Sequence, residues 1–225
     1  EKYAVKLINI PNVKGEKKER REARVQKLER EVEIMKQTVH KNIVSVVDAH
    51  QTDDTLFIVL ELASGGELFY KIFEDGKFCE SDARYVFSQL LDAIDYLHEK
   101  RIAHRDIKLE NILLANKKSL EIKITDFGMS RFMNKDEVMK TWCGTIEYVA
   151  PEILKQKIHK DAGCEGSGYG LGVDMWSAGV VLYLLLSGVS PFDSTDANLF
   201  SRIKKGIQKF PADEGWERVS DDAKD

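Results

Sequence analysis

The chain has 225 residues, 43% hydrophobic and 32% charged, which supports a sizeable core and excludes disorder throughout. Thirty-four Lys and Arg against 38 Asp and Glu leave a net charge of -4, which disfavours a globally basic nucleic-acid binder. Three cysteines (Cys79, Cys143 and Cys164) with no C-x-x-C pair argue against a disulfide scaffold or a cysteine zinc site and suit a reducing compartment.

In chain order, Tyr3 to Ile10 (YAVKLINI) predicts a buried strand, closed by Pro11 and Gly15. From Glu16 to Lys36 the apolar residues Val25, Leu28, Val32 and Met35 recur at helical spacing. The charged run Lys17 to Arg24 within it reads as a solvated helical face rather than a nuclear-import or nucleic-acid patch. Ile43 to Val47 and Leu56 to Leu60 are β-rich runs around polar QTDD and predict a hairpin. Ser64-Gly65-Gly66 ends this small β-rich, one-helix part.

The remainder reads as mostly helical. Ser81 to Lys100 carries Val86, Phe87, Leu90, Leu91, Ile94 and Leu97 on one face, with Ser81 or Asp82 as the expected N-cap. Ile112 to Leu114 and Glu121 to Ile124 predict two short strands around a polar turn, NKKS. Residues 160–170 form a Gly-rich loop, and Val173 to Leu186 a strongly apolar helix. Its longest apolar run, Ala178 to Leu186, has nine residues, short of the roughly 20 that a membrane span needs. The fold class is therefore α+β, with two lobes.

Five segments carry the chemistry: AVK at 4–6, Glu31 in LEREVEIM, HRDIKLEN at 104–111, DFG at 126–128 and APE at 150–152. Each alone is weak. On the residues themselves, Lys6 reads equally as a lysine snorkelling from a strand edge, and His104 as a packed structural histidine, since no His or Cys lies at ligand spacing. A carboxylate such as Asp106 suits acceptance of a hydroxyl proton. Asn111 and Asp126 are hard oxygen donors, which suit Mg²⁺ better than zinc or copper.

Together and in this order, the five segments resemble the eukaryotic protein kinase family. The resemblance implies a bilobal kinase fold: residues 1–63 as N-lobe and hinge, 64–225 as C-lobe, a catalytic loop at 104–111 and an activation segment at 126–152. It implies transfer of the γ-phosphate of ATP to Ser or Thr of protein substrates. Lys6 would hold the α- and β-phosphates and be held by Glu31, chosen for its place three before Ile34. Asp106 would orient the hydroxyl, Lys108 would contact the γ-phosphate, and Asn111 and Asp126 would hold Mg²⁺. Ala4 and Leu113 would sandwich the adenine, Leu60 would be the gatekeeper, and Glu61 and Ala63 would offer backbone groups. Phe127, Glu152 and Asp174 take structural roles, the last anchoring the catalytic loop. Arg105, expected as a partly buried cation, would receive a phosphate on Thr141. Thr145 would shape the substrate site, while Glu67 and Glu110 would read a basic residue upstream of the target or serve as plain surface charge.

The segments GGELF, TDFG and VDMWSAGVVLYLLLSG resemble the calcium/calmodulin-dependent kinase group. The long charged stretch after Lys6 and the lengthened loop after Glu152 favour its checkpoint-kinase-2-like branch, which implies damage signalling in nucleus or cytoplasm. A phosphorylase-kinase-like enzyme is the alternative subfamily, and a pseudokinase scaffold the alternative class. Protein substrates and a transient homodimer are the implied partners, with neither nucleic acid nor membrane. The resemblance also places a glycine-rich loop before Lys6 and further helices after Asp225, so these residues by themselves are expected to be weak or inactive. Leu109 and Ile146 stand where the family often has Pro, and Ile146 bears on substrate preference.

Overall fold

The computed structural model describes residues 2–10, 18–126, 146–154, 171–206 and 209–225, without the side chains of Lys27, Arg30, Glu31, Ile34 and Glu214. Phe127, Thr141, Cys143, Thr145 and the Gly-rich loop at 160–170 lie outside the described residues.

Strand β1 (Tyr3–Asn9) pairs antiparallel with β3 (Thr55–Glu61), which also pairs with β2 (Val46–Gln51), giving the order β1-β3-β2. Lys6 faces Ile58 and Ala4 faces Leu60 in this register. Contrary to the expected burial of β1, Tyr3, Val5 and Leu7 are exposed. The strand lies at the sheet edge and only its alternate residues turn inward, as the period of two requires. The hairpin is present but shifted. Ile43 leaves β2 to form a parallel bridge with Ile124, and Gln51 joins the strand, with a bulge between Val46 and Asp48.

Helix α1 (Lys18–Lys36) serves two cores. Its Leu28 and Val32 pack with Ile10, Leu56 and Ile58 in the small lobe, whereas Met35, a turn further, joins the large-lobe core. This split follows from the 3.6-residue period, which moves successive apolar side chains along one stripe.

The large lobe opens with β4 (Gly66–Glu67) and α2 (Leu68–Asp75), followed by α3 (Glu80–Glu99). Gly65 lies so close to the next strand that a Cβ would meet the Leu114 carbonyl oxygen at 2.6 Å, so only glycine fits. Helix α3 starts before the expected caps. Cys79 takes the N-cap place in extended conformation, and no side chain accepts from the first turn. Strands β5 (Ile112–Leu114) and β6 (Ile122–Ile124) complete a second antiparallel sheet, β4-β5-β6. Helix α4 (Gly172–Ser187) is apolar nearly all round and runs through the core, ending at left-handed Gly188, whose N–H donates to the Leu184 carbonyl. Beyond it lie α5 (Leu199–Lys205), the aromatic cluster of Tyr183, Phe210 and Trp216, and α6 (Asp221–Lys224). Among the described residues no helix is long and apolar enough to cross a membrane.

The lobes meet through backbone. Val44 donates to the Ile124 carbonyl at 2.9 Å, and Ile124 donates to that of Asn42 at 2.8 Å. These bonds hold the first sheet against the end of β6, where the site residues gather.

Candidate active site

The segment between α3 and β5 is irregular, so its shape comes from side chains rather than a ladder. Asp174, near the start of α4, is 1% exposed. One of its oxygens accepts from the His104 N–H at 2.8 Å and from His98 Nε2 at 2.8 Å, and the other from the Arg105 N–H at 2.7 Å. A buried carboxylate requires such partners. In return it bends the loop so that Arg105 sits in the left-handed region at φ 70°. That turn leaves the Arg105 side chain exposed, which corrects the expected partial burial.

His104 is fully buried. Its Nδ1 accepts from the Asp106 N–H at 3.3 Å and its Nε2 reaches the Thr125 carbonyl at 2.9 Å, which places the proton on Nε2. Burial holds its pKa below the ordinary 6.5 despite nearby Asp174. The unfolded chain therefore takes up a proton near 6.5 that the folded chain refuses. The corresponding stability is full above 6.5 and falls as pH drops below it, towards the lower folded value. Half-buried His40 shifts the same way. Melting temperatures measured from pH 7.5 down to 5.5 should fall, and fall less in His104→Gln.

Asp106 is locked from two sides. Asn111 Nδ2 donates to its Oδ2 at 2.8 Å and to its carbonyl at 2.7 Å, and Lys108 Nζ lies 3.0 Å from the same Oδ2. Asn111 is itself 6% exposed, and its carbonyl accepts from the Thr125 N–H at 3.0 Å. This bond ties the segment 104–111 to the end of β6. The next residue, Asp126, is left-handed at φ 65° and its Oδ1 pairs with Lys6 Nζ from the other lobe. Lys6, Met35, Val44, Ile58, Leu60, Thr125 and Asp126 share one narrow concavity.

The structure thus gathers Lys6, Leu60, Asp106, Lys108, Asn111 and Asp126. Ala4 stands opposite Leu60 on the sheet, and Leu113 opposite Glu67 on the other, with Leu113 half-buried on the face away from Ile112 and Leu114. Ala63 is half-buried just past β3. The Glu61 N–H is taken by the Ser45 carbonyl at 2.9 Å. The Glu61 carboxylate pairs with Lys123 Nζ at 2.6 Å and accepts from the Ser45 N–H at 3.3 Å. Glu110 Oε2 is buried with no hydrogen-bond partner among the described residues. It lies near Tyr148, whose hydroxyl burial pushes well above its ordinary pKa. Glu152 is exposed on the helical turn at 151–154. The Glu31 side chain lies outside the described residues.

Sequence reasoning passed over His98, Thr125 and Lys123. His98 had only the signal of a basic residue in the last turn of α3, and Thr125 acts through its backbone, which no side-chain pattern marks.

The donor set fits a hard cation held jointly with phosphate. Asn111 spends its amide hydrogens on Asp106, leaving its oxygen as an acceptor, and Asp126 has a second carboxylate oxygen beside the one on Lys6. Among the described residues no cluster of three His, Cys, Asp or Glu could hold a metal without such help.

Residues 1–225 match the protein kinase domain family, and the chain belongs to it. It is 44% identical over 231 residues to the probable serine/threonine-protein kinase fhkD of Dictyostelium discoideum, covering 100% of this chain and 30% of that protein. It is 45% identical over 224 residues to fhkC of the same organism, covering 99% and 36%. Calcium/calmodulin-dependent protein kinase type 1 of Caenorhabditis elegans is 40% identical over 225 residues, covering 99% and 59%. The crystal structure of Rad53 1-466 in complex with AMP-PNP superposes with a TM-score of 0.76 at 29% identity, covering 99% of this chain and 51% of that one. The chain therefore spans about a third of the first two relatives.

Proposed function

We propose that the whole protein transfers the γ-phosphate of ATP to Ser or Thr of protein substrates. The observation that carries this reading is the joined cluster: Asp106 fixed by Asn111 and Lys108, and Asp126 meeting Lys6 across the lobes. Asp106 keeps its Oδ1 for the substrate hydroxyl and orients it in line with the phosphate. Lys108, already beside Asp106, supplies positive charge where the transferring phosphate meets that hydroxyl. Lys6 binds the phosphates of the nucleotide, and Asn111 and Asp126 hold Mg²⁺, which supplies charge neutralisation on those phosphates. Adenine lies between Ala4 and Leu113, bounded by Leu60. The kinship with kinases named as Ser/Thr-specific, and the nucleotide analogue in the Rad53 structure's title, support this.

Glu110 Oε2 has no hydrogen-bond partner among the described residues and suits a cation, so the preferred substrate carries a basic residue upstream, read by Glu110 together with Glu67. A phosphate on Thr141 activates the enzyme by pairing with the exposed Arg105 guanidinium, made by a second copy of the kinase in trans. The relatives support the calcium/calmodulin-dependent group. Checkpoint-type signalling in nucleus or cytoplasm rests on the charged stretch after Lys6 and the long loop after Glu152.

The test is phosphorylation of Ser/Thr peptides by the full-length protein with Mg-ATP. Expected are transfer to a peptide with upstream Arg and a raised KM for that peptide, with kcat preserved, in Glu110→Gln. No transfer to any peptide would overturn the reading and favour a scaffold.

A further inference from the structure

We propose that a lysine-rimmed groove between α2, α3 and the β5–β6 turn docks an acidic, extended segment of a partner protein. The groove is a concavity of about 340 Å³ that shares no residue with the Asp106 and Asp126 cluster. Three separate stretches of chain bring lysines to it: Lys71 from α2, Lys77 from the loop that follows, and Lys117 and Lys118 from the turn. Asp75 and Asp82 are the carboxylates in its lining. Four cations against two anions make a positive enclave on a chain whose net charge is -4. Such a reversal of sign concentrates and orients an oppositely charged partner.

The cations differ in their present employment. Lys71 is paired with Asp75 at 2.8 Å, and Lys77 Nζ lies over Gly215 so closely that a Cβ there would meet it at 1.7 Å. Lys117 and Lys118 are exposed at the tip of the turn, and among the described residues neither side chain makes an ion pair or hydrogen bond. Two lysines adjacent in the chain, neither paired to Asp75 or Asp82, leave positive charge that an anionic ligand can neutralise.

The walls are pinned before any partner arrives. Phe78 N–H donates to the Leu185 carbonyl at 2.8 Å, tying the loop after α2 to the central helix. Gln89 Nε2 donates to the Leu120 carbonyl at 3.0 Å, and Asn116 Oδ1 accepts from the Lys118 N–H at 2.9 Å, fixing the turn. A preformed groove spends little ordering entropy on binding.

The lining also selects the class of ligand. Phe78 and Leu120 are half-buried and give the groove an apolar floor, which suits an apolar side chain flanked by carboxylates. A sugar–phosphate backbone has no aliphatic side chain to seat against Phe78 and Leu120, so the occupant is a peptide rather than a nucleic acid. This inference does not depend on the phosphotransfer reading.

The experiment uses the full-length protein without nucleotide and a fluorescein-labelled peptide of alternating Glu and Leu. Anisotropy should report binding that weakens with added salt and falls by about tenfold in the Lys117→Glu/Lys118→Glu double variant. The milder Lys117→Ala/Lys118→Ala variant should lose less, and both should keep the wild-type melting temperature. Turnover of a short peptide substrate should be unchanged in either variant, which separates this site from the catalytic one. The proposal is overturned if the peptide does not bind, if it binds the double variant as well as wild type, or if a polythymidine oligonucleotide binds with the same dependence on Lys117 and Lys118.

Discussion

Replacing Asp106 with Ala in the full-length protein should lower kcat for peptide phosphorylation by at least about 100-fold, the scale of a positioned acid–base group. The carboxylate is held by Asn111 Nδ2 at 2.8 Å and Lys108 Nζ at 3.0 Å, and both grip the same oxygen. Its partner oxygen is thereby aimed rather than merely present, and that aim is what an alanine removes. Asp106→Asn should be nearly as damaging, because the amide retains the shape but brings a donor to one oxygen's place. Nucleotide affinity should change little in either variant, since Lys6 and Asp126 are untouched. Turnover within threefold of wild type in Asp106→Ala would remove the residue from the chemistry.

The second large effect is on stability. Asp174→Ala strips the acceptor from the backbone N–H groups of His104 and Arg105 and from His98 Nε2. Each buried donor left unpaired costs about 1–3 kcal/mol, and the site is 1% exposed, so water cannot substitute cheaply. A total of about 3–5 kcal/mol is expected, which for a chain of this size lowers the melting temperature on the order of 10 °C. Activity should fall with it, because these bonds shape the backbone that leads into Asp106. Asp174→Asn should be milder, keeping one acceptor oxygen. A drop of under about 2 °C in Asp174→Ala would show that the loop holds its shape by packing alone.

The elements that could be read from sequence are those whose signal is local. The apolar spacing of Val25, Leu28, Val32 and Met35 located α1 and its buried stripe, and the run through Val180 and Leu185 located α4. The cluster of Asp106, Lys108 and Asn111 was legible because its residues are near one another in the chain. What escaped was decided at a distance. The pairing of Lys6 with Asp126 spans 120 positions, and that of His98 with Asp174 spans 76. The start of α3 moved because Cys79 is already extended, with its carbonyl accepting the Ala83 N–H, so Ser81 and Asp82 fall inside the first turn. Strand β2 slid along the sequence because Ile43 and Val44 were drawn to β6. Arg105 was misjudged because its neighbour's burial says nothing about a side chain on a residue with reversed backbone handedness.

That handedness has a consequence for how loss-of-function controls should be built. At Asp126, with φ 65°, any residue with a Cβ opposes the following carbonyl, at about 1–2 kcal/mol for an ordinary side chain, while Asp and Asn tolerate it better and Gly is indifferent. An alanine there removes the carboxylate and also loads the backbone, so a silent Asp126→Ala protein conflates missing chemistry with a loosened fold. Asp126→Asn or Asp126→Gly separates the two. The glycine form should melt above the alanine form while both remain without activity. Among these variants, melting temperature would therefore not track activity.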